Sequence, residues 1–99
     1  MRLKNPAATT AIIERFKFNQ LLIGPKNGLN RFYTTPSKFI YDPVNGTEPV
    51  FKRNGQTIYL GLELNAILES GGTGTGYDIV EFMLPPKRND TLTVDYITV

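Results

Sequence analysis

The sequence predicts an all-β fold, an antiparallel β-sandwich of about six to eight strands behind an N-terminal arm. Three observations support this prediction. Two runs rich in β-forming residues flank a Pro-rich corner in the last third of the chain, and two more flank Asn54-Gly55. Residues 15–19 alternate strictly between polar and aromatic side chains. Strands with one apolar face must bury it, and a second sheet is the usual cover.

The composition fits one globular domain and removes several kinds of catalytic site. The chain has 99 residues, of which 40% are hydrophobic, and a net charge of +2. It has no His and no Cys, so a Ser-His-Asp triad, a thiol nucleophile and a common zinc site are all excluded. The adjacent basic pairs, Lys52-Arg53 and Lys87-Arg88, lie beside predicted turns. We interpret them as solvated turn residues, and nucleic acid is not a predicted partner.

The predicted domain organisation is an arm, residues 1–11, followed by one β-sandwich domain, residues 12–99. Pro6 interrupts regular structure near the start. Such an arm either stays unstructured or docks on a neighbouring subunit. No run of residues has the length and apolarity of a signal peptide or a membrane span, so neither export by a signal nor a membrane partner is expected.

Residues 12–23 allow two interpretations. A helix would group Ile12, Ile13 and Phe16 on one side, whereas a strand would group Phe16 with Phe18. The alternation over residues 15–19 favours the strand. Ile12, Ile13, Phe16 and Phe18 are candidate interface residues, because an arm and an open sheet edge are natural devices for contacts between subunits.

Residues 24–28, which include Asn27 and Gly28, form a predicted turn. A strand is expected over residues 29–35, with Phe32 facing the core. The segment that follows ends in a loop at residues 42–46.

The clearest local signal is the hairpin predicted over residues 49–60. Asn54 and Gly55 suit a type I′ turn, since both central positions of that turn need a positive φ. The same prediction brings Phe51 and Ile58 near one another across the ladder.

Residues 60–76 combine an apolar run with a Gly-rich loop. Alternation would place Leu60, Leu62 and Leu64 on one side of a strand that ends near Asn65. The glycines at 71–76 do not form a phosphate-binding loop, because no Lys-Ser/Thr and no strand-loop-helix context accompany them. We predict a mobile loop tip and take Gly72 and Gly74 as candidate interface positions.

The last third of the chain is predicted to be a hairpin whose connection spans residues 85–90. Its strands should turn two apolar faces to the core. The first face is Val80, Phe82 and Leu84; the second is Leu92, Val94 and Tyr96.

Few residues suggest a catalytic, metal-binding or sugar-binding role. The carboxylate pairs Asp78/Glu81 and Asp90/Asp95 have no spacing that indicates a cleft. The segment from Asp42 to Glu48 lacks the spacing of a calcium loop and is interpreted as a turn. Exposed tyrosines could stack on sugars, and the candidates are Tyr33, Tyr41, Tyr59 and Tyr77. No catalytic residue, metal ligand or cofactor is predicted.

Three segments together resemble a small β-sandwich module that recurs in structural proteins of tailed bacteriophages. They are Asn27-Gly-Leu-Asn-Arg-Phe-Tyr-Thr34, Val50-Phe-Lys-Arg-Asn-Gly55 and Leu84-Pro-Pro-Lys-Arg-Asn-Asp-Thr-Leu-Thr-Val-Asp-Tyr96. The resemblance extends over residues 18–97. The sequence departs from the pattern at Asn89, where Gly is frequent, and in its longer Gly-rich segment.

The resemblance implies a non-enzymatic virion component, made in the bacterial cytoplasm and located at the neck or head–tail junction, the tail or the capsid surface. The implied partners are other virion proteins and further copies of the chain in a ring or collar. In this module Pro85 and Pro86 would end a strand, Asp90 would hydrogen-bond the corner, and Tyr96 would anchor the final strand. The alternative is a glycan- or receptor-binding module of a phage fibre.

Overall fold

A computed structural model of the chain describes residues 15–99, which form seven β-strands and no helix. The strands build two antiparallel sheets, a four-stranded sheet in the order β1-β7-β3-β4 and a three-stranded sheet in the order β2-β6-β5. The strands are β1 Phe16–Leu21, β2 Phe32–Phe39, β3 Val50–Arg53, β4 Gln56–Ile58, β5 Leu64–Leu68, β6 Tyr77–Phe82 and β7 Leu92–Ile97. The predicted all-β fold is confirmed. The predicted arm, residues 1–11, lies outside the described residues.

The two sheets bury one shared core. Each sheet contributes five of the ten buried apolar side chains in this core. They are Phe51, Ile58, Leu92, Val94 and Tyr96 from the first sheet, and Tyr33, Phe39, Leu64, Val80 and Phe82 from the second. Aromatic rings meet edge to face across the interior, as in Phe39 against Phe51, at 6.1 Å between ring centroids. The structure thus confirms the predicted inward face Leu92, Val94 and Tyr96 of β7.

The hairpin predicted at Asn54-Gly55 is confirmed. Asn54 and Gly55 have φ angles of 53° and 81°, as a type I′ turn requires. Phe51 lies opposite Ile58 in the β3–β4 ladder, which is the predicted pair.

The hairpin predicted for the last third of the chain is wrong. Strands β6 and β7 belong to different sheets, so residues 83–91 cross from one sheet to the other. Pro85 and Pro86 lack the amide that a ladder needs, and the buried Pro86 instead accepts a hydrogen bond from Gly28 N–H, 3.2 Å. Because β6 ends at Phe82, Leu84 is exposed and does not share the inward face of Val80 and Phe82.

The strand predicted to end near Asn65 begins there instead. Residues 59–63 form a tight turn in which Gly61 has φ 89° and its N–H donates to the Leu64 carbonyl at 2.8 Å. Leu60 and Leu62 are therefore exposed, and Leu64 alone of the three leucines reaches the core.

Phe32 faces solvent, contrary to its predicted inward orientation, and the next residue, Tyr33, is buried. Tyr33 lies against Gly24, where an added Cβ would come within 2.6 Å of the ring. Its hydroxyl donates to the Pro25 carbonyl at 2.8 Å. These contacts with the preceding turn fix the side of the strand that enters the core.

Candidate interaction surface

The outer face of the four-stranded sheet exposes a group of apolar side chains. Strand alternation turns the residues next to the core positions of β7 and β3 outward, and β1 adds its own side chains at the sheet edge. This patch, the outer apolar face, consists of Phe16, Phe18, Leu21, Val50 and Ile97. Phe16 and Phe18 are 41% and 63% exposed, and their rings stack almost parallel at 6.2 Å between centroids. Exposed aromatic pairs of this kind are typical of contact surfaces.

A β-bulge in β1 shapes the patch. The pairing of β1 with β7 shifts by one residue between Lys17 and Gln20, and Asn19 takes a φ of 51°. Asn tolerates this left-handed conformation better than most residues. Phe16 and Phe18 therefore share the outer side, and after the bulge Leu21 continues it while Gln20 turns inward.

Polar groups lie within the patch, because Asp95 on the central strand β7 stands between β1 and Val50 of β3. A shallow groove of about 150 Å³ lies between the Phe16–Phe18 pair and Val50, and Glu48 and Asp95 contribute to its wall. Lys52 forms an ion pair with Asp95 at 2.9 Å, and the Asn19 N–H donates to the same carboxylate at 2.7 Å. Burial alone would raise the pKa of Asp95, but these two contacts outweigh it and hold the pKa below its ordinary value. The carboxylate is therefore ionised at neutral pH.

Among residues 15–99, strand β1 lies at the edge of its sheet, and no described strand pairs with its outer side. Thr98 N–H donates to the Arg15 carbonyl at 2.9 Å, and in an antiparallel ladder the next residue turns its N–H and C=O the other way. The backbone groups of Phe16 therefore point away from β7, at the open side of the strand. An edge of this kind accepts a strand from another chain.

The structure separates the predicted interface residues into two groups. Phe16 and Phe18 lie together on the outer apolar face, whereas Gly72 and Gly74 lie in the connection between β5 and β6 of the other sheet. Ile12 and Ile13 lie outside the described residues. The strand predicted over residues 12–23 is confirmed for Phe16–Leu21.

Sequence reasoning missed Leu21, Val50 and Ile97. A signal for Ile97 was present, since alternation from Val94 and Tyr96 turns it away from the core. Val50 carries the same signal next to Phe51. What was missing was the strand order β1-β7-β3, which brings these side chains next to Phe16.

The predicted turn residues hold the opposite end of the sandwich. Asn27 caps its own turn by accepting from the Leu29 and Asn30 amides, both at 2.9 Å, and Gly28 has φ 78°. Asp90 accepts from Lys87 N–H at 2.8 Å, as the resemblance implied, and this hydrogen bond is the main cause of its lowered pKa. Asn54 joins the two connections, since its amide donates to Asp90 and its side-chain carbonyl accepts from Thr91 N–H.

The carboxylates that suggested chemistry are each held by separate partners. Asp78 accepts from both the amide and the hydroxyl of Ser70, and Glu81 binds Arg31 and Asn65. Asp42 accepts from the Asn45 amide and side chain, within its own turn. Among residues 15–99, no three His, Cys, Asp or Glu side chains cluster closely enough to hold a metal ion.

The candidate tyrosines do not form one exposed rim. Tyr33 is buried in the core. Tyr41 and Tyr77 are half-buried and meet edge to face, 5.2 Å between centroids, while Tyr59 is exposed. Of the four candidate tyrosines, Tyr59 is thus the one that offers an exposed ring to a sugar.

The Gly-rich connection between β5 and β6 is folded onto its own hydrogen bonds. Glu69 accepts from Gly76 N–H at 2.9 Å, and the Thr75 hydroxyl donates to the Gly72 carbonyl at 2.6 Å. Gly72 and Gly74 have positive φ angles and nothing lies within 4 Å of the Cβ position of either, so they present bare backbone to solvent.

Comparison with known proteins gives no relative: no protein-family model, curated protein or solved structure matches the chain. In the part of the chain that the structure describes, no helix is long and apolar enough to cross a membrane.

Proposed function

We propose that the chain is a non-enzymatic structural subunit of a tailed-bacteriophage particle, and that it assembles with other virion proteins and with copies of itself. The assembly part of the proposal is supported by one observation above all: Phe16 and Phe18 stack in solvent on an edge strand. The phage part is supported by the sequence resemblance over residues 18–97. The proposed location of the subunit is the neck or head–tail junction, the tail or the capsid surface of the particle.

The energetics favour a face that is covered in the assembled state. Full burial of a Phe side chain contributes about 1.5–3 kcal/mol, and a soluble monomer gains nothing from leaving two such rings in water. Association itself costs roughly 4–15 kcal/mol. The outer apolar face therefore gives a weak contact by itself, which backbone pairing along β1 and repetition around a symmetry axis would strengthen.

Analytical ultracentrifugation of the full-length chain tests the assembly. The double variant F16S/F18S should weaken self-association at least tenfold, which corresponds to about 1.4 kcal/mol. The matched control is Phe32→Ser, which removes a half-exposed Phe from the outer side of the other sheet. It should leave association unchanged. The same measurement on a chain of residues 12–99 tests whether the arm contributes to self-association.

At about 1 mM protein, an association free energy of about 4 kcal/mol already gives a detectable dimer. A chain that is still monomeric at this concentration would contradict self-assembly. Mass spectrometry of purified particles tests the virion location. Neighbouring genes for portal, tail or fibre proteins would identify the position of the subunit in the particle.

A glycan- or receptor-binding module of a phage fibre is the second candidate. Tyr59 is the residue that favours it, because this ring is exposed beside a small cavity of about 70 Å³ that Glu48 also lines. The burial of Tyr33 and the mutual packing of Tyr41 and Tyr77 reduce the aromatic surface on which it depends. A glycan array without hits, together with binding to a virion protein, would exclude it.

A further inference from the structure

Several connections meet at one end of the sandwich, where β1 and β6 end and where β2, β5 and β7 begin. Backbone hydrogen bonds join these connections to one another. The bonds run from Gly28 N–H to the Pro86 carbonyl at 3.2 Å, from Met83 N–H to the Glu63 carbonyl at 3.0 Å and from Asn54 N–H to the Thr91 carbonyl at 2.8 Å. We call this the 83–91 end, because connection 83–91 takes part in all three bonds.

The fold adds a third cation to the basic pair Lys87-Arg88. Lys26, from the connection between β1 and β2, lines the same open groove of about 640 Å³. Its ammonium donates to the Asp90 carbonyl at 2.7 Å, which holds the cation beside the groove. In the part of the chain that the structure describes, none of these three cations forms an ion pair. The groove therefore carries positive charge that the described residues do not neutralise.

The other basic pair, Lys52-Arg53, is neutralised within the chain. Lys52 binds Asp95 at 2.9 Å, and Arg53 lies 4.0 Å from Glu63. Among residues 15–99, the charges at the 83–91 end are five cations, Lys26, Arg31, Arg53, Lys87 and Arg88, and three carboxylates, Glu63, Glu81 and Asp90. This end thus has two positive charges in excess, and the excess lies at the groove.

Three leucines stand in solvent at the same end. Leu29, Leu62 and Leu84 are 82%, 72% and 72% exposed. Leu62 and Leu84 line one small hollow of about 70 Å³, and Leu29 directly follows Gly28, which lines the groove. A single exposed leucine is ordinary, but three of them on connections that are bonded together give an apolar surface beside the positive charge.

The two properties together select the class of partner. A nucleic-acid backbone would pair with the cations and leave the leucines in water. An anionic membrane would cover the leucines, but Glu63, whose side chain is 48% exposed next to Leu62, would then enter a negatively charged headgroup layer. A protein surface that carries carboxylates around apolar side chains matches both the cations and the leucines.

We propose that the 83–91 end binds a protein partner through a segment that combines carboxylates with apolar side chains. The inference goes beyond the proposed function, since it involves neither the outer apolar face nor self-association. In such a contact the leucines contribute apolar burial, and the cations set the orientation and speed the encounter, because an exposed ion pair adds little affinity by itself. Binding therefore depends on both features of the partner segment.

Fluorescence anisotropy with model peptides tests the proposal on the full-length chain. A short labelled peptide in which Glu and Leu alternate should bind wild type at about 50 mM NaCl, where screening is weak. K87E/R88E and L62S/L84S should each weaken this binding by about tenfold or more. K87E/R88E should in turn prefer the peptide in which Lys replaces Glu. All four side chains are exposed, and Lys87 binds Asp90 through its backbone N–H, so both variants should fold.

The matched control for Arg88→Glu is Arg15→Glu. Arg15 is also exposed, but it lies at the opposite end of the sandwich, beside Thr98. Its reversal should leave the affinity for the Glu-Leu peptide within about twofold of wild type. An equal loss in the two variants would mean that the peptide responds to net charge alone and would overturn the site.

The remaining outcomes separate this inference from the proposed function. Absence of binding up to about 1 mM peptide overturns it, as does equal affinity for a peptide in which Ser replaces Leu. Binding that is lost in F16S/F18S places the peptide on the outer apolar face and overturns it too. Tighter binding of duplex DNA, or of phosphatidylcholine vesicles with phosphatidylglycerol, through Lys87 and Arg88 assigns this end to a nucleic acid or a membrane instead. A monomeric wild type that binds the Glu-Leu peptide contradicts self-assembly and supports the docking site.

Discussion

The outer sides of the two sheets both carry a paired carboxylate on a central strand but differ in the aromatic side chains beside it. On the three-stranded sheet, Glu81 lies between Phe32 and Ala66 on neighbouring strands and is almost fully buried. Arg31 binds it at 3.2 Å, and the Asn65 amide donates to it at 2.8 Å. On the four-stranded sheet Asp95 has the equivalent central place and binds Lys52 at 2.9 Å. The stacked rings of Phe16 and Phe18 lie beside it on the edge strand and, among residues 15–99, are 41% and 63% exposed.

The difference shows what each side needs. The Glu81 cluster satisfies its polar groups within the chain and requires nothing from outside. The outer apolar face has its ion pair, Lys52 with Asp95, between its strands and exposes two stacked rings, whereas the outer side of the three-stranded sheet exposes the single ring of Phe32. The contrast supports the proposal that assembly uses the four-stranded sheet.

Two substitutions of the same residue type sharpen the comparison most. Phe82→Ala should lower the free energy of unfolding by about 3–5 kcal/mol, because the ring fills the core. Phe18→Ala should change it by less than about 0.5 kcal/mol in the monomer. Urea denaturation at low protein concentration measures both. Since Phe82→Ala removes much of a typical domain stability, Phe82→Leu provides a smaller loss in the same direction.

A large destabilisation by Phe18→Ala in a monomer would break the comparison. It would mean that this ring is covered by its own chain, and the argument for an intermolecular contact would then lose its main observation.

The next largest effect is expected at the polar cluster. Glu81→Ala removes a nearly buried charged acceptor, and hydrogen bonds to charged groups contribute about 1.5–3 kcal/mol. Because Arg31 and Asn65 can turn into water, we expect a loss toward the lower end of this range, about 1–2 kcal/mol, and a smaller loss for Glu81→Gln, which keeps an acceptor for Asn65. The exposed Glu48→Ala is the matched control and should stay within about 0.5 kcal/mol. Equal effects at Glu48 and Glu81 would show that the hydrogen bond and ion pair of Glu81 add no measurable stability to the fold.

The parts of the fold that the sequence predicted are those fixed by neighbouring residues. Asn54-Gly55 carries its turn in its own conformational preferences, and the alternation of Leu92, Val94 and Tyr96 states directly which side of β7 is buried. Connection 83–91 has no such local signature. Its path between the sheets depends on Pro86 accepting from Gly28 and on Asp90 binding Asn54, contacts between residues far apart in the chain.

The candidate surface was predictable to the same extent. Alternation in β1 was enough to single out Phe16 and Phe18. Val50 and Ile97 join them only because β7 lies between β1 and β3, and strand order is not written in any one segment. Phe32 was predicted to face the core from its own segment alone. The neighbouring Tyr33 occupies the core instead, because it packs against Gly24 and bonds the Pro25 carbonyl, and Phe32 therefore faces solvent.

The smallest expected effect concerns acid. The pKa of Asp95 is lowered in the folded protein, so its ionised form stabilises the fold above the ordinary pKa of Asp, and this stabilisation is lost as the pH falls through the folded pKa. Asp95→Asn should therefore cost about 1 kcal/mol or less at neutral pH. The difference from wild type should shrink as the pH is lowered from about 5 to about 2. Urea unfolding across this range measures it, and a difference that stays constant would mean that Asp95 acts through shape alone.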